Sequence, residues 1–350
     1  MKPEWKSFLQ RHGAEWSPDG EHVAHFGNPA QELSLTLNGD IISDLGHRGL
    51  IAVMGEDASA FLQNMLSNDV QKVSDTHSQL TSLNTPKGRM LALMRLFKRE
   101  GVYYLTLPRP QVEPVLKRLR MFILRSKVTL ESAGEAFASF SLSGPRAETL
   151  LSDALGVIPS GTDDCRTAAG LTAIRLPGVP ARFEIHGELE AMQKLWQRLN
   201  VHAAPAGTAS HELLDVLAAL PEVFPETVEA FVPQMANLER IGGVSFKKGC
   251  YPGQEVVARM HYLGKPNRRM ALLSAREADR AMPGQPVFGA DPETPIGEVV
   301  RAAPHPDGGI VLLTVLRLVA LTEGPLRLGT PDGPAASRLP LPYALEDDAA

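Results

Sequence analysis

The sequence predicts an α+β fold, with two tandem mixed α/β lobes followed by a C-terminal antiparallel β-barrel. Three observations predict it. A strand–turn–helix pattern beginning at Ile51 recurs near residue 140. Each copy continues as strands followed by a helix with one apolar stripe. From Arg268 onward helical periodicity stops, and Pro and Gly punctuate short apolar runs. The lead-in and first lobe span 1–132, and the second lobe 133–240. A signature segment at 241–267 joins them to a barrel at 268–342 and an acidic tail at 343–350.

Each element has a local reason. Residues 1–30 read as a polar, partly helical lead-in. Ile51-Ala52-Val53 is a short apolar strand, Gly55 ends it, and Asp57 is placed to cap a helix. Ala58, Phe61, Leu62, Met65 and Leu66 then fall on one helical face. Residues 79–107 form a three-strand meander with turns at Asn84-Thr85-Pro86-Lys87-Gly88 and Lys98-Arg99-Glu100-Gly101. The next helix carries Val112, Val115, Leu116, Leu119, Phe122 and Ile123 on one side. In the second copy, Phe140-Ser141-Leu142 is the strand, Gly144-Pro145 the turn and Ala147 to Leu155 the helix. Gly144, Ala147, Leu151 and Leu155 overlay Gly55, Ala58, Leu62 and Leu66. Leu189, Met192, Leu195, Trp196 and Leu199 stripe its closing helix. The tail, LPYALEDDAA, is acidic and expected to fray.

Composition narrows the function. The chain has 350 residues, 43% hydrophobic and 21% charged, as in globular proteins. A net charge of −5 argues against a protein that coats nucleic acid, DNA included. Cys165 and Cys250 are the two cysteines, too few for a disulfide framework, and no CxxC or His/Cys cluster offers a permanent metal site. A reducing cytoplasm fits. The N-terminus lacks the apolar core of a signal peptide. The apolar run Ile310 to Leu321 contains Arg317 and is too short for a bilayer, so a buried strand is expected rather than a membrane span.

The chemistry concentrates in Lys247-Lys248-Gly249-Cys250-Tyr251-Pro252-Gly253-Gln254-Glu255. Gly249 and Gly253 let the backbone turn tightly. A helix is expected to start after Gly253, with Cys250 just ahead of its positive end. Two lysines on the same side also favour a thiolate, which makes Cys250 the candidate reactive group. From Lys247 to Arg269 there are six Lys/Arg and one acid, Glu255. That patch suits an anion, such as a carboxylate tail or RNA phosphate, or is a solvated loop. Glu255 is either an acid/base group or a salt-bridge partner for Lys248. Neither a P-loop nor a GxGxxG after a strand is present.

Residues 231–259, FVPQMANLERIGGVSFKKGCYPGQEVVAR, resemble the signature of the YgfZ family of folate-binding proteins. That family is related to the aminomethyltransferase (T-protein) of the glycine cleavage system. The Lys-Gly-Cys-Tyr-x-Gly-Gln-Glu core is whole from Lys248 to Glu255, and weaker similarity runs from about residue 45 to about residue 330. Phe61-Leu62-Gln63 with Ser67-Asn68-Asp69-Val70 resembles the family's first helix, and the 83–89 turn its folate-proximal hairpin. The resemblance implies three lobes around a central channel that binds tetrahydrofolate. It implies a cytoplasmic accessory protein for assembly or repair of iron–sulfur clusters in client enzymes, including those that modify tRNA. Asn84, Lys87, Arg89, Lys248, Tyr251, Gln254 and Arg259 become the folate-contact candidates. Cys250 is the catalytic candidate, with Glu255 behind it.

This chain departs from the aminomethyltransferases at two places. Their acidic pair a few residues after the matching Asn falls here at about Leu91 and Ala92. Their pterin-contacting carboxylate falls near Leu217, and Asp215 lies on a different face. A folate-dependent one-carbon transferase is therefore the alternative function, and a scaffold with a decayed folate pocket a third.

Overall fold

The computed structural model describes residues 2–264, 266–322 and 324–345; the end of the expected acidic tail, 346–350, lies outside them. The chain forms two compact units. One comprises Met1–Phe61, Val70–Gln79 and Arg95–Leu214. The other comprises Leu62–Asp69, Leu80–Met94 and Asp215–Ala350.

The lead-in is part of the first unit's core. Helix α1 (Pro3–Arg11) spaces Trp5, Phe8 and Leu9 on one face, and all three are buried among Phe140, Phe183 and Trp196. Trp5 meets Trp196 edge-on at 5.8 Å, and its indole donates to Asp44 Oδ1 at 2.8 Å. Burial pushes the Asp44 carboxyl up, against the pull of that indole and of the Gly46 amide. The expectation of a polar lead-in is corrected here. The charges between these apolar residues face solvent, while the stripe anchors the segment. A hairpin of β1 (Glu15–Trp16) and β2 (Val23–His25) follows, then α2 (Pro29–Asn38) and β3 (Ile41–Asp44).

Next comes a repeated pattern. The first cycle is β4 (Arg48–Met54), α3 (Ala58–Met65), β5 (Gln79–Asn84), β6 (Met90–Arg99), β7 (Val102–Pro108), α4 (Val112–Arg120) and β8 (Thr129–Ser132). The second is β9 (Ala138–Ser143), α5 (Ala147–Leu155), β10 (Cys165–Ala168), β11 (Leu171–Leu176), β12 (Arg182–Gly187), α6 (Leu189–Leu199) and β13 (Ala204–Ala206). Sheet orders match: β5-β6-β7-β4-β8 in one cycle, and β10-β11-β12-β9-β3-β13 in the other, where β3 is inserted. The glycines at the strand-to-helix turns match too. Gly55 has φ +119° and Gly144 φ +143°. A Cβ at Gly55 would lie 2.1 Å from Lys127 O, and one at Gly144 2.5 Å from Asp40 Cα. Each turn presses directly on neighbouring backbone, so only glycine fits.

Two local expectations fail. Asp57 does not cap α3, because its carboxylate accepts the Lys127 amide at 2.8 Å. The apolar stripe of α4 stops at Leu119. Phe122 lies beyond the helix, exposed, under the Arg118 guanidinium.

Helix α7 (Thr208–Leu217) leads into the second unit, which holds α8 (Gln254–Tyr262) and the last six strands. These are β14 (Arg268–Ala275), β15 (Pro286–Phe288), β16 (Pro295–Pro304), β17 (Ile310–Arg317), β18 (Arg327–Leu328) and β19 (Ser337–Leu339). Their order is β18-β15-β16-β17-β14-β19, and every pairing is antiparallel. A bridge between Arg327 and Ala335 joins β18 to the segment that leads into β19, and the sheet packs its inner face around Leu273, Val287, Leu312 and Leu316. The Ile310–Leu321 run is strand β17 and a short 3-10 turn, as its apolar pattern implies. A bulge between Val299 and Arg301 shifts the β16 register, so that Arg301 is buried against Asp215 Oδ2 at 3.1 Å and Leu220 O at 3.1 Å.

Candidate functional site

The second unit brings together the signature segment, the end of α3 and the 84–89 hairpin. Residues 242–248 form no regular element and take their shape from the chain after α3. Ser67 Oγ donates to Gly243 O at 3.1 Å, Asn68 Nδ2 to Gly242 O at 2.6 Å, and the Ser245 amide to Ser67 O at 3.1 Å. Lys248 completes this join. Its ammonium donates to Gln63 O at 2.5 Å, Leu66 O at 2.5 Å and Asn68 O at 3.1 Å. The last carbonyls of a helix lack intrahelical donors and carry the negative end of its dipole. A buried cation supplies both needs. Burial pushes the Lys248 ammonium down to about 8, while the Asp69 charge opposes that fall.

The sequence expectation for Lys248, a cation facing an anionic ligand or Glu255, is therefore corrected. All three ammonium donors point at backbone carbonyls, and Glu255 stands exposed on α8. Arg89 is similar: its Nη1 donates to Glu229 O at 3.3 Å and Ala230 O at 2.5 Å. Among the described residues Lys87, Arg89, Lys247 and Arg259 are the exposed cations of these segments.

Beyond Lys248 the loop closes tightly. The Gln254 amide donates to Tyr251 O at 3.1 Å and its Nε2 to Lys248 O at 3.4 Å. Gly253, at φ +83°, caps α8. Its backbone lies against the hairpin: a Cβ there would be 2.4 Å from Thr85 O and 2.6 Å from Gly88 Cα. Val256 packs over Gly88 from the next turn. Gly249 has open space around it, so the need for glycine in this loop falls on Gly253 alone.

Two buried side chains in these touching segments have no hydrogen-bond partner. Asn84 is 1% exposed, with both its Oδ1 and its Nδ2 unpaired. Tyr251 has an unpaired hydroxyl, its ring lies 5.1 Å from the Lys248 ammonium, and burial pushes its phenol up to about 12. Unpaired buried polar groups are uncommon and ask for a ligand or water. An Asn amide offers two donors and an acceptor. This pattern complements a ligand edge that alternates donors and acceptors. Among the described residues no group of three His, Cys, Asp or Glu could hold a metal ion.

Cys250 projects from this loop, exposed, whereas Cys165 is buried in β10. Burial pushes Cys165 up to about 11, and Asp164 and Asp75 add to the rise. Desolvation is the larger cause. Brief iodoacetamide treatment of the native protein at neutral pH is expected to add one label, at Cys250. Two labels are expected only after unfolding, read by intact mass. Equal native labelling of both thiols would contradict this assignment.

Sequence reasoning missed the segment that backs the hairpin. The Met90 amide donates to Phe231 O and the Glu229 amide to Met90 O, both at 2.8 Å. It also missed Gln234, whose Nε2 holds Val257 O at 2.6 Å while its Oε1 is unpaired. The signal was available as a polar residue inside the apolar run Phe231 to Leu238.

The GCVT N-terminal domain family matches residues 7–248. The tRNA-modifying protein YgfZ of Cronobacter sakazakii is 30% identical over 308 residues, 85% of this chain and 91% of its own. The protein of that name from Yersinia enterocolitica is 28% identical over 328 residues, 91% and 96% of the two chains. Among solved structures, the glycine cleavage system aminomethyltransferase T from Bartonella henselae superposes with a TM-score of 0.71 at 18% identity. It covers 99% of this chain and 98% of that one, which shows a shared fold. The whole Lys248–Glu255 core and a match of this extent agree: the chain belongs to the YgfZ family of GCVT-domain proteins.

Proposed function

We propose that this protein binds a tetrahydrofolate and supports assembly or repair of iron–sulfur clusters in client enzymes of the cytoplasm, including enzymes that modify tRNA. The observation that carries the reading is the contact of the 84–89 hairpin with Gly253, which sets the unpaired Asn84 amide and Tyr251 hydroxyl in adjoining segments. The names of the relatives, tRNA-modifying proteins, support the destination of the activity. Asn84 and Tyr251 would address the pterin. Lys87 and Arg259 would meet the glutamate carboxylates, with Gln254 closing the loop. A bound folate supplies a one-carbon carrier. Lys248 and Arg89 hold the loop and hairpin in place through their carbonyl contacts. Cys250 is the group that acts on the client, as an exposed thiol on a loop anchored from below.

The one-carbon transferase alternative lacks its carboxylate. The start of β6, Met90 to Met94, is wholly apolar, and Ala92 is fully buried. The experiment is complementation. In cells lacking their own such protein, the wild type is expected to restore the activity of an iron–sulfur tRNA-modifying enzyme. Cys250→Ala is expected to fail while keeping its fold, since an exposed thiol contributes less than about 1 kcal/mol to stability. Full rescue by Cys250→Ala would remove the thiol from the function.

A further inference from the structure

The end of α8 and the segment before Lys247 carry an aromatic cluster to which the proposed folate site gives no role. Phe246 and His261 stack face to face, with ring centroids 3.7 Å apart and planes 9° apart. Tyr262 stands edge-on to both, at 71° to Phe246 and 73° to His261. Tyr262 thus packs edge-on against this stack, yet it remains 64% exposed, and the next residue, Leu263, is 84% exposed. An aromatic ring that is both fixed and open is organised to receive another flat ring.

The charges of the 247–269 stretch that holds it are mostly of one sign. Of the six Lys/Arg between Lys247 and Arg269, Lys248 is committed to carbonyls and Arg269 to Glu239 and Gln234 O. Lys247 adjoins Phe246 in sequence and is exposed. Arg259, one helical turn before Tyr262, is exposed as well. The acid of this stretch, Glu255, sits two turns from Tyr262, toward the start of α8.

We infer that the Phe246–His261–Tyr262 cluster is a docking surface for single-stranded RNA, with an unpaired base stacking on Tyr262 and its phosphates meeting Lys247 and Arg259. Exposed aromatics interleaved with cations are the means by which proteins hold unpaired nucleotides, whereas duplex RNA hides the base faces. An acidic protein segment would use the cations but gain little from the open ring. The inference rests on the tRNA-related role proposed above, and of the folate contacts proposed there it shares Arg259 alone. A net charge of −5 fits a local grip on a loop, not a coat along a backbone.

The test is fluorescence anisotropy of the full-length protein with a labelled RNA hairpin bearing a purine loop, and with the same stem closed as a duplex. The hairpin is expected to bind more tightly than the duplex. Tyr262→Ala is expected to weaken hairpin binding about tenfold or more, with Tyr262→Phe close to wild type. Lys247→Gln is expected to lower the dependence of log affinity on log salt by about one unit. Tetrahydrofolate binding to Tyr262→Ala should be unchanged. No hairpin binding at low salt would overturn the inference, as would equal affinity of the Tyr262→Ala variant. If the wild type binds folate but not the hairpin, this inference falls alone. If it binds the hairpin but not folate, the folate reading falls instead.

Discussion

Replacing Lys248 with Met is expected to remove about 3–5 kcal/mol of stability, more than any other single change in the loop. Met keeps the length and apolar character of the side chain but has no donor. Three carbonyls, Gln63 O, Leu66 O and Asn68 O, then lose a charge-assisted partner. Each such bond is worth about 1.5–3 kcal/mol, and the three share one ammonium, so the sum is less than additive. pH has a defined sign here. The folded state holds this proton less firmly than the unfolded chain, about 8 against the ordinary 10.5. Between those values the unfolded state binds more protons, so the wild type's margin over the variant widens as pH rises. Urea melts followed by circular dichroism give the loss. A parallel rise in the Cys250 alkylation rate is expected, because the loop has lost its anchor. A loss below about 1 kcal/mol would mean that the carbonyls find other partners easily.

Gly253→Ala is the second large effect. At φ +83° an L-side chain costs about 1–2 kcal/mol from its own backbone. The added Cβ would also lie 2.4 Å from Thr85 O, 2.6 Å from Gly88 Cα and 2.7 Å from Gly88 N. Backbone atoms cannot rotate away as a side chain can, so the hairpin must shift, at about 1–3 kcal/mol more. The expected total is about 2–5 kcal/mol, with loss of folate binding as the hairpin separates from the loop. Gly249→Ala is the control. With open space around it, the change should stay within about 0.5 kcal/mol. Equal stability of the two variants would contradict the close approach at Gly253.

The repeated strand–turn–helix pattern was legible because its buried residues follow simple spacing. Phe61, Leu62 and Leu66 in one copy, and Leu151, Trp196 and Leu199 in the other, are buried where the periodicity puts them. Helix α8 starts at Gln254, after the glycine that signals it. Helix α1 was misread because Glu4, Lys6 and Arg11 dilute its mean polarity, although the spacing of Trp5, Phe8 and Leu9 already marked a buried face. The role of Lys248 was not readable at all. Its acceptors lie 180 to 185 residues away, and a lysine beside a cysteine looks the same in sequence whether it faces solvent or a helix end. The unpaired state of Asn84 was equally hidden, since it depends on what surrounds the amide and not on the turn that carries it.

The proposed folate site rests on the Asn84 amide and the Gly253 loop. Isothermal titration of tetrahydrofolate into the wild type and Asn84→Ala tests it most directly. Saturable binding at one site is expected, weakened about tenfold or more in Asn84→Ala, because a pterin edge that loses two or more hydrogen bonds leaves its own polar groups unpaired. Cys250→Ala should bind as the wild type does. Absence of binding to the wild type, or equal affinity in Asn84→Ala, would contradict it.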